Sequence, residues 1–334
     1  MPTVPTPRLS RLPDPSVPDS RLRVVFLGTP DLARTILTHL AASPNVTVVA
    51  AATQPDRPVG RGLQVTPTPV RQEAERLGIP VLQPKSARDP HFLESLRELA
   101  PDLIVVAAYG QILPQSLLDV PRLGCLNIHT SLLPRWRGAA PIQWALASGD
   151  RETGVTLMRM EAGLDTGPMV ASARTPIADS DTGQTLHDRL ALLGARLLVD
   201  SIPAYAGGKL PPQPQPADGV TYARKITRDD GRLDWTQSAD VLWHRLRAFT
   251  PWPGAFCFVP GDPKAKLLKI HGATPATVPL QTSATPGTVV ASGVDGITVA
   301  CGSGALRLTE VQPEGGRRMP AVAFVAGHPL TRLE

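Results

Sequence analysis

Between Asp102 and Tyr109 the chain reads DLIVVAAY, with six consecutive apolar residues and no alternation. A strand built from this run cannot turn either face to water, so it belongs in a sheet covered on both sides. Similar runs recur. LRVVFLG at 22–28 ends in glycine and leads into the helix-compatible DLARTILTHL. VTVVAAAT at 46–53 is a second buried strand, and LGCLNIH at 123–129 another. TPVRQEAERLG at 68–78, with Gly78 as C-cap, HFLESLRELA at 91–100 and GAAPIQWALASGD at 138–150 read as helices between strands, and TGVTLMRM at 153–160 as a further strand. Strands apolar on both faces and alternating with helices predict an α/β fold with a mostly parallel sheet.

Near Gly207 the pattern changes. GGKLPPQPQPADG, with four prolines, predicts an extended linker over 207–220. Beyond it, SADVLWHRLRAF reads as one helix. Short segments such as AFCFVP, LLKIHGA, GTVVASG, GITVACG and GALRLTEVQ follow, each bounded by glycine, proline or aspartate, as in a small all-β barrel. The expected organisation is a proline-rich, disordered lead-in at 1–20, a catalytic domain at 21–206, the linker, and a second domain at 221–334. A transit peptide is the alternative for the lead-in, though its prolines oppose an amphipathic helix.

No apolar stretch approaches the ~20 residues that span a bilayer, and no membrane is expected. Cys125, Cys257 and Cys301 form no C-x-x-C pair. That excludes a disulfide scaffold and a cysteine-based zinc site, and suits small buried side chains in a reducing cytoplasm. Of the 34 basic and 29 acidic residues, 14 and 10 follow Ala206, a weak hint that the second domain meets a polyanion.

GTPD at 28–31 lacks the second glycine of a dinucleotide fingerprint, so Gly28 reads as a tight strand-to-helix turn and not as an NAD or FAD site. LNIHTSLLPRWRGAAPIQ at 126–143 is more pointed. Asn127 and His129 stand two apart on a strand and share a face. Spacing alone leaves a core pair and a catalytic pair equally open. Asp165, in the turn GLDTG, adds a carboxylate at a strand end. Asparagine, histidine and aspartate together are what acyl transfer to an amine needs: oxyanion donors and an oriented imidazole.

VVFLGTPDLA, TQPDRPVGRG, AYGQILP, LGCLNIHTSLLPRWRGAAPIQ, ETGVTLMRMEAGLDTGPMV and AFTPWPGAF, in that order, resemble the signature stretches of the methionyl-tRNA formyltransferases over residues 22–331. The resemblance implies a Rossmann-like formyltransferase domain followed by a smaller OB-like β-barrel domain. It implies Asn127, His129 and Asp165 as catalytic residues and Ser131, Leu132, Leu133 and Pro134 as folate contacts. The implied reaction moves a formyl group from 10-formyltetrahydrofolate, a co-substrate, to the α-amine of methionyl initiator tRNA. No permanent cofactor and no metal are implied, and a monomer is. Arg61, in the long loop 53–71, is the implied contact to the tRNA acceptor end. Leu63 and Gln64 depart from the family's lysines there, which weakens the loop's electrostatic grip. Arg224, Lys225, Lys264 and Lys266, with Lys269, Arg317 and Arg318, are the expected backbone contacts of the barrel. Arg135 and Arg137 are left open between tRNA contact and internal ion pair. The alternative acceptors are an aminosugar nucleotide and a glycinamide ribonucleotide, and the second needs no basic barrel. A nucleotide-linked oxidoreductase and a non-catalytic RNA-binding protein are the readings from other classes.

Overall fold

The structure, a computed structural model, describes residues 21–59, 64–261, 265–276 and 284–334. The lead-in at 1–20, Arg61, Leu63 and Lys264 lie outside the described residues, as does the side chain of Gln64.

The first half alternates as its hydrophobicity predicts: β1 (Leu22–Gly28), α1 (Asp31–Ala41), β2 (Val46–Ala52), the short strands β3 (Arg57–Val59) and β4 (Gln64–Thr66), α2 (Pro69–Arg76), β5 (Val81–Leu82) and α3 (Pro90–Leu99). β6 (Leu103–Ala107), α4 (Gln115–Leu118), β7 (Cys125–His129), β8 (Arg137–Gly138), α5 (Pro141–Ala147), β9 (Glu152–Arg159), β10 (Met169–Pro176) and the long α6 (Gly183–Ala206) follow. Seven strands form one sheet in the order β10-β9-β7-β6-β1-β2-β5. β7, β6, β1, β2 and β5 run parallel, while β9 lies antiparallel to β7 and β10 antiparallel to β9. Every residue of β6 is buried, as its uninterrupted apolar run requires.

Successive side chains supply two cores. Val24, Phe26, Val105, Leu126 and Ile128 meet α1 and α6 on one face through Ile36, Leu37, Leu190 and Leu198. Val25, Leu27, Ile104, Val106 and Cys125 meet α3 on the other through Phe92 and Leu96. α1 is fixed by its 3.6-residue apolar stripe. α2 and α3 start at Thr68 and Asp89, whose side chains accept from the Arg71 and His91 amides ahead of an N1 proline.

After the segment 207–220 come β11 (Tyr222–Ala223), a 3₁₀ turn (Arg228–Gly231) and α7 (Ala239–Ala248). The strands β12 (Ala255–Val259), β13 (Lys266–Ala276), β14 (Val289–Gly293), β15 (Gly296–Ala300), β16 (Ala305–Pro313) and β17 (Met319–Pro320) precede α8 (Ala321–Gly327). They form an antiparallel sheet, β12-β13-β16-β15-β14, around their own core of Leu242, Leu268, Ile297, Leu306 and Leu308. The last residues join its two ends. Thr331 and Leu333 bond to Val289 and Gly287 beside β14, and Glu334 exchanges both backbone bonds with Phe258 in β12. The curl is thereby closed without a long edge.

Arg247 of α7 joins the halves. It is 7% exposed, and its Nη1 donates to the carbonyls of Ala178, Asp179 and Asp181 at 2.9, 3.1 and 3.3 Å. Its guanidinium lies 4.0 Å over the Trp243 ring.

Candidate active site

β7 ends at the carboxyl edge of the parallel strands, the side on which open α/β sheets bind ligands. Its pleat sends Leu126 and Ile128 into the α1–α6 core and leaves Cys125, Asn127 and His129 on the opposite face. A cavity of about 470 Å³ opens there. Asn127, His129 and Asp165 all line it, with Ala108, Ile112, Met160 and Leu164. The three residues expected from spacing and resemblance are therefore brought to one place.

His129 is 5% exposed and held from both sides. Its Nε2 lies 2.9 Å from the Trp136 carbonyl oxygen. A carbonyl only accepts, so Nε2 carries a proton and donates. Nδ1 then faces Asp165 Oδ2 at 3.7 Å, longer than a direct hydrogen bond. Asp165 is itself aimed: Oδ2 accepts from the Gly138 amide at 2.8 Å. With Nε2 protonated, the Nδ1 lone pair faces the Asp165 carboxyl group. The Asn127 side-chain amide has no hydrogen-bond partner among the described residues, so its donors are free for a ligand.

The supports include three residues that sequence reading missed, Trp136, Asp150 and Gln215. Trp136 holds the carbonyl that anchors His129. Its own amide donates to Thr221 Oγ1 at 2.9 Å and its indole Nε1 to Asp150 Oδ2 at 2.7 Å. Arg135 bonds to the same Asp150 and lies 4.6 Å over the indole ring. Arg137 donates to Gln215 Oε1 at 3.1 and 2.7 Å, and Gln215 Nε2 donates to the carbonyls of Asp165 and Gly167 at 2.7 and 2.8 Å. Both arginines left open thus take internal partners. The segment 207–220 is more than a tether: Gln213 exchanges two backbone bonds with Met169, and Gln215 fastens the loop that carries Asp165. Nothing local marks Gln215, which lies 50 residues from Asp165 in sequence.

Ala108, Trp136 and Asp165 all have left-handed backbones, with φ of 46°, 62° and 51°. Each departs from the conformation L-residues prefer at a cost of about 1 kcal/mol or more, which the bonds just described offset. Gly138, at φ 119°, is required. An added Cβ would stand 2.6 Å from the Ala223 carbonyl oxygen, because β11 pairs with β8 there.

Ser131, Leu132, Leu133 and Pro134 do not line this cavity. Ser131 is fully buried, and its hydroxyl donates to the Arg135 carbonyl at 2.6 Å. Thr156 Oγ1 ties the turn down, donating to Ser131 O and accepting from the Leu133 amide at 2.7 and 3.1 Å. The stretch shapes the turn between His129 and Trp136. Ile112 and Leu164, which are 83% and 58% exposed, give the cavity large apolar side chains.

Of the expected tRNA contacts, Lys225 and Lys266 are exposed. Arg224 is bound to Asp230 and lies 4.7 Å over the Trp144 ring. Arg318 pairs with Glu310. Lys269 and Arg228 line one hollow of about 360 Å³ with Gln312 and Glu314. No cluster of three or more metal-ligating side chains is present among the described residues, and no helix there is long and apolar enough to cross a membrane.

Two family models match: formyl transferase over residues 22–202, and formyl transferase, C-terminal domain, over 225–329. The methionyl-tRNA formyltransferase of Myxococcus xanthus is 54% identical over 312 residues, 93% of this chain and 96% of that protein. That of Xanthomonas campestris pv. campestris is 51% identical over 305 residues, 91% and 97% of the two chains. Among solved structures, the N-formyltransferase of Helicobacter canadensis, in complex with folinic acid and dTDP-3-aminofucose, is similar with a TM-score of 0.63. That match is 16% identical and covers 86% of this chain and 98% of the other, a likeness of fold alone.

Proposed function

The chain belongs to the methionyl-tRNA formyltransferase family, and from that premise we propose how its site carries the transfer. The enzyme moves the formyl group of 10-formyltetrahydrofolate, its co-substrate, to the α-amine of methionyl initiator tRNA, which supplies formylmethionyl-tRNA for translation initiation. The aminosugar acceptor has distant structural neighbours in its favour, at 16–21% identity, which share the fold alone. The observation that carries the mechanism is the unpartnered Asn127 amide beside an imidazole whose Nδ1 faces Asp165.

The pterin ring lies between Ile112 and Leu164, with the formyl carbon toward Asn127. The neutral amine attacks that carbon, a C–N bond forms, and the formyl oxygen takes the negative charge. Asn127 donates to this oxyanion; losing such a donor typically costs ~10²–10³ in rate. The amine proton passes to His129 Nδ1, and Asp165, held by Gly138, stabilises the imidazolium. The positive charge on protonated His129 further stabilises the oxyanion. Its proton then reaches N10 of the folate as the C–N10 bond breaks, which returns His129 to the neutral form and releases tetrahydrofolate.

The second domain holds the tRNA backbone through exposed cations, with Lys225, Lys266, Lys269 and Arg317 as the candidates that remain unpaired among the described residues. The loop at Arg61 would meet the acceptor end. We further propose a cytoplasmic monomer. The test is formyl transfer from 10-formyltetrahydrofolate to charged initiator tRNA, charged elongator tRNA and aminosugar nucleotides, with wild type and His129→Ala. Turnover with methionyl initiator tRNA should exceed all others and fall at least 10³-fold in the variant, with folate binding retained. Near-normal turnover in His129→Ala would sink the mechanism.

A further inference from the structure

The neutral His129 ring carries one proton and has an acceptor beside each nitrogen. The Trp136 carbonyl oxygen stands 2.9 Å from Nε2, and Asp165 Oδ2 stands 3.7 Å from Nδ1. A carboxylate accepts more strongly than a carbonyl, so the closeness of the Trp136 oxygen is what keeps the proton on Nε2. The choice matters for the transfer. An imidazole that already holds a proton on Nδ1 cannot take the amine proton there. We infer that Asp150 is a positioning residue for the reaction: through the Trp136 indole it holds the Trp136 carbonyl against His129 Nε2 and so reserves Nδ1 for the amine proton. The inference rests on the formyl-transfer reading and adds to it a residue outside the reaction cavity that sets the state of His129.

The carbonyl needs such a hold. Trp136 has φ 62°, a left-handed backbone that a bulky L-residue keeps only where its surroundings impose it. Relaxation of that torsion turns the carbonyl away from the imidazole. Bonds on two sides oppose it. The Trp136 amide donates to Thr221 Oγ1 at 2.9 Å, and the Arg137 amide to the Thr221 carbonyl at 2.9 Å. On the other side the indole Nε1 donates to Asp150 Oδ2 at 2.7 Å. Arg135 closes on the same carboxylate through Nε at 3.0 Å and Nη2 at 2.6 Å. Asp150 thus accepts three N–H bonds from the two residues of the turn. It is placed by the end of α5, where Gly149 turns the chain at φ 73° and the Asp150 amide donates to the Ala145 carbonyl at 3.1 Å. Two residues beyond Trp136, the Gly138 amide holds Asp165 Oδ2 at 2.8 Å. One short segment therefore aims the imidazole through a carbonyl and the carboxylate through an amide, and Asp150 anchors its imidazole end.

Asp150→Asn keeps the size of the side chain and turns one oxygen into a nitrogen that faces N–H donors. With methionyl-tRNA, kcat should fall at least about tenfold, the rate equivalent of one lost bond to a charged group. KM for either substrate should stay within about twofold. Trp136→Phe deletes the indole N–H and leaves Arg135 on the carboxylate, so it carries the same test if Asp150→Asn folds poorly. Its kcat should fall to a similar extent, and the double variant no more than about threefold further, because both act through one bond. In ¹⁵N spectra of the free enzyme, the His129 proton should sit on Nε2 in wild type and populate Nδ1 in either variant. Asp102→Asn is the control. Asp102 is a partly buried carboxylate just before β6, bonded to the Arg23 amide and to Arg122. That variant should keep kcat within about twofold and the wild-type His129 signals, even where its thermal midpoint falls as far. A smaller loss of kcat in folded Asp150→Asn, a loss carried by KM, losses that multiply in the double variant, or unchanged His129 signals overturns the role. A wild-type enzyme that fails to formylate methionyl-tRNA overturns the formyl-transfer reading itself, while the His129 spectra still test the hold of Asp150 on the ring.

Discussion

Gln215→Glu changes one atom type at a half-buried position and isolates how the Asp165 loop is held. The glutamate keeps, and charges, the acceptor that Arg137 uses. It removes the two N–H donors to the carbonyls of Asp165 and Gly167 and sets a carboxylate oxygen within about 3 Å of both, by the 2.7 and 2.8 Å lengths now present. Each carbonyl left without its donor costs about 1–3 kcal/mol, and a stronger bond to Arg137 returns about 1–2 kcal/mol. The net strain on the loop is about 2–3 kcal/mol. Asp165 sits in the left-handed region and relaxes when its loop loosens, withdrawing the carboxylate from His129. At about 1.4 kcal/mol per decade, kcat should fall about 30–140-fold, with the folate KM nearly unchanged. Steady-state formylation of methionyl-tRNA with both substrates varied, alongside the thermal midpoint, provides the measurement. A kcat within threefold of wild type in a folded protein would refute the claim that the 207–220 segment supports catalysis.

Other expectations follow from the same packing. Arg247→Ala leaves three carbonyls short of a donor between α7 and the 178–181 loop. It should cost about 2–3 kcal/mol and split one calorimetric transition into two as the halves uncouple. A hydrogen bond from Arg76, aided by one from Thr38, pulls the Glu73 carboxyl down to about 2 despite burial. The stability this contributes is present above the ordinary glutamate range and is lost as pH falls toward 2. In denaturant titrations, the gap between wild type and Glu73→Gln should therefore shrink from pH 7 to pH 3; a gap independent of pH would contradict the pairing. Burial pushes the thiols of Cys125 and Cys301 up to about 12 and 11, and that of Cys257 further. Native protein should resist alkylation at pH 8 and yield all three thiols on unfolding.

The parallel sheet was legible because its signal is local: a run such as Leu103–Ala108 has no polar face, whatever surrounds it. The Asn127–His129 pair was half legible. Period-2 geometry put both on one face of β7, while spacing alone could not say whether that face met a core or a cavity. Its antiparallel neighbour β9 and the long helix α6 left weaker traces, since short apolar runs fit either strand direction and Pro203 interrupts the helical pattern at the end of α6. Ser131 to Pro134 were expected as folate contacts by resemblance, and spacing carried no sign of their packing. Burial of Ser131 and its bond to the Arg135 carbonyl show that the stretch also supports the turn.

Composition and periodicity by themselves determined the layers, the change of architecture beyond Gly207 and the residue types available for acyl transfer, because each depends on neighbours within a few residues. Only the tertiary structure decided which atoms hold them. The proton on His129 Nε2 depends on a carbonyl of Trp136, the aim of Asp165 on Gly138 and Gln215, and the closure of the barrel on Glu334 meeting Phe258. These are directional contacts between groups up to 76 positions apart, and hydrogen-bond geometry leaves no periodic mark in a sequence.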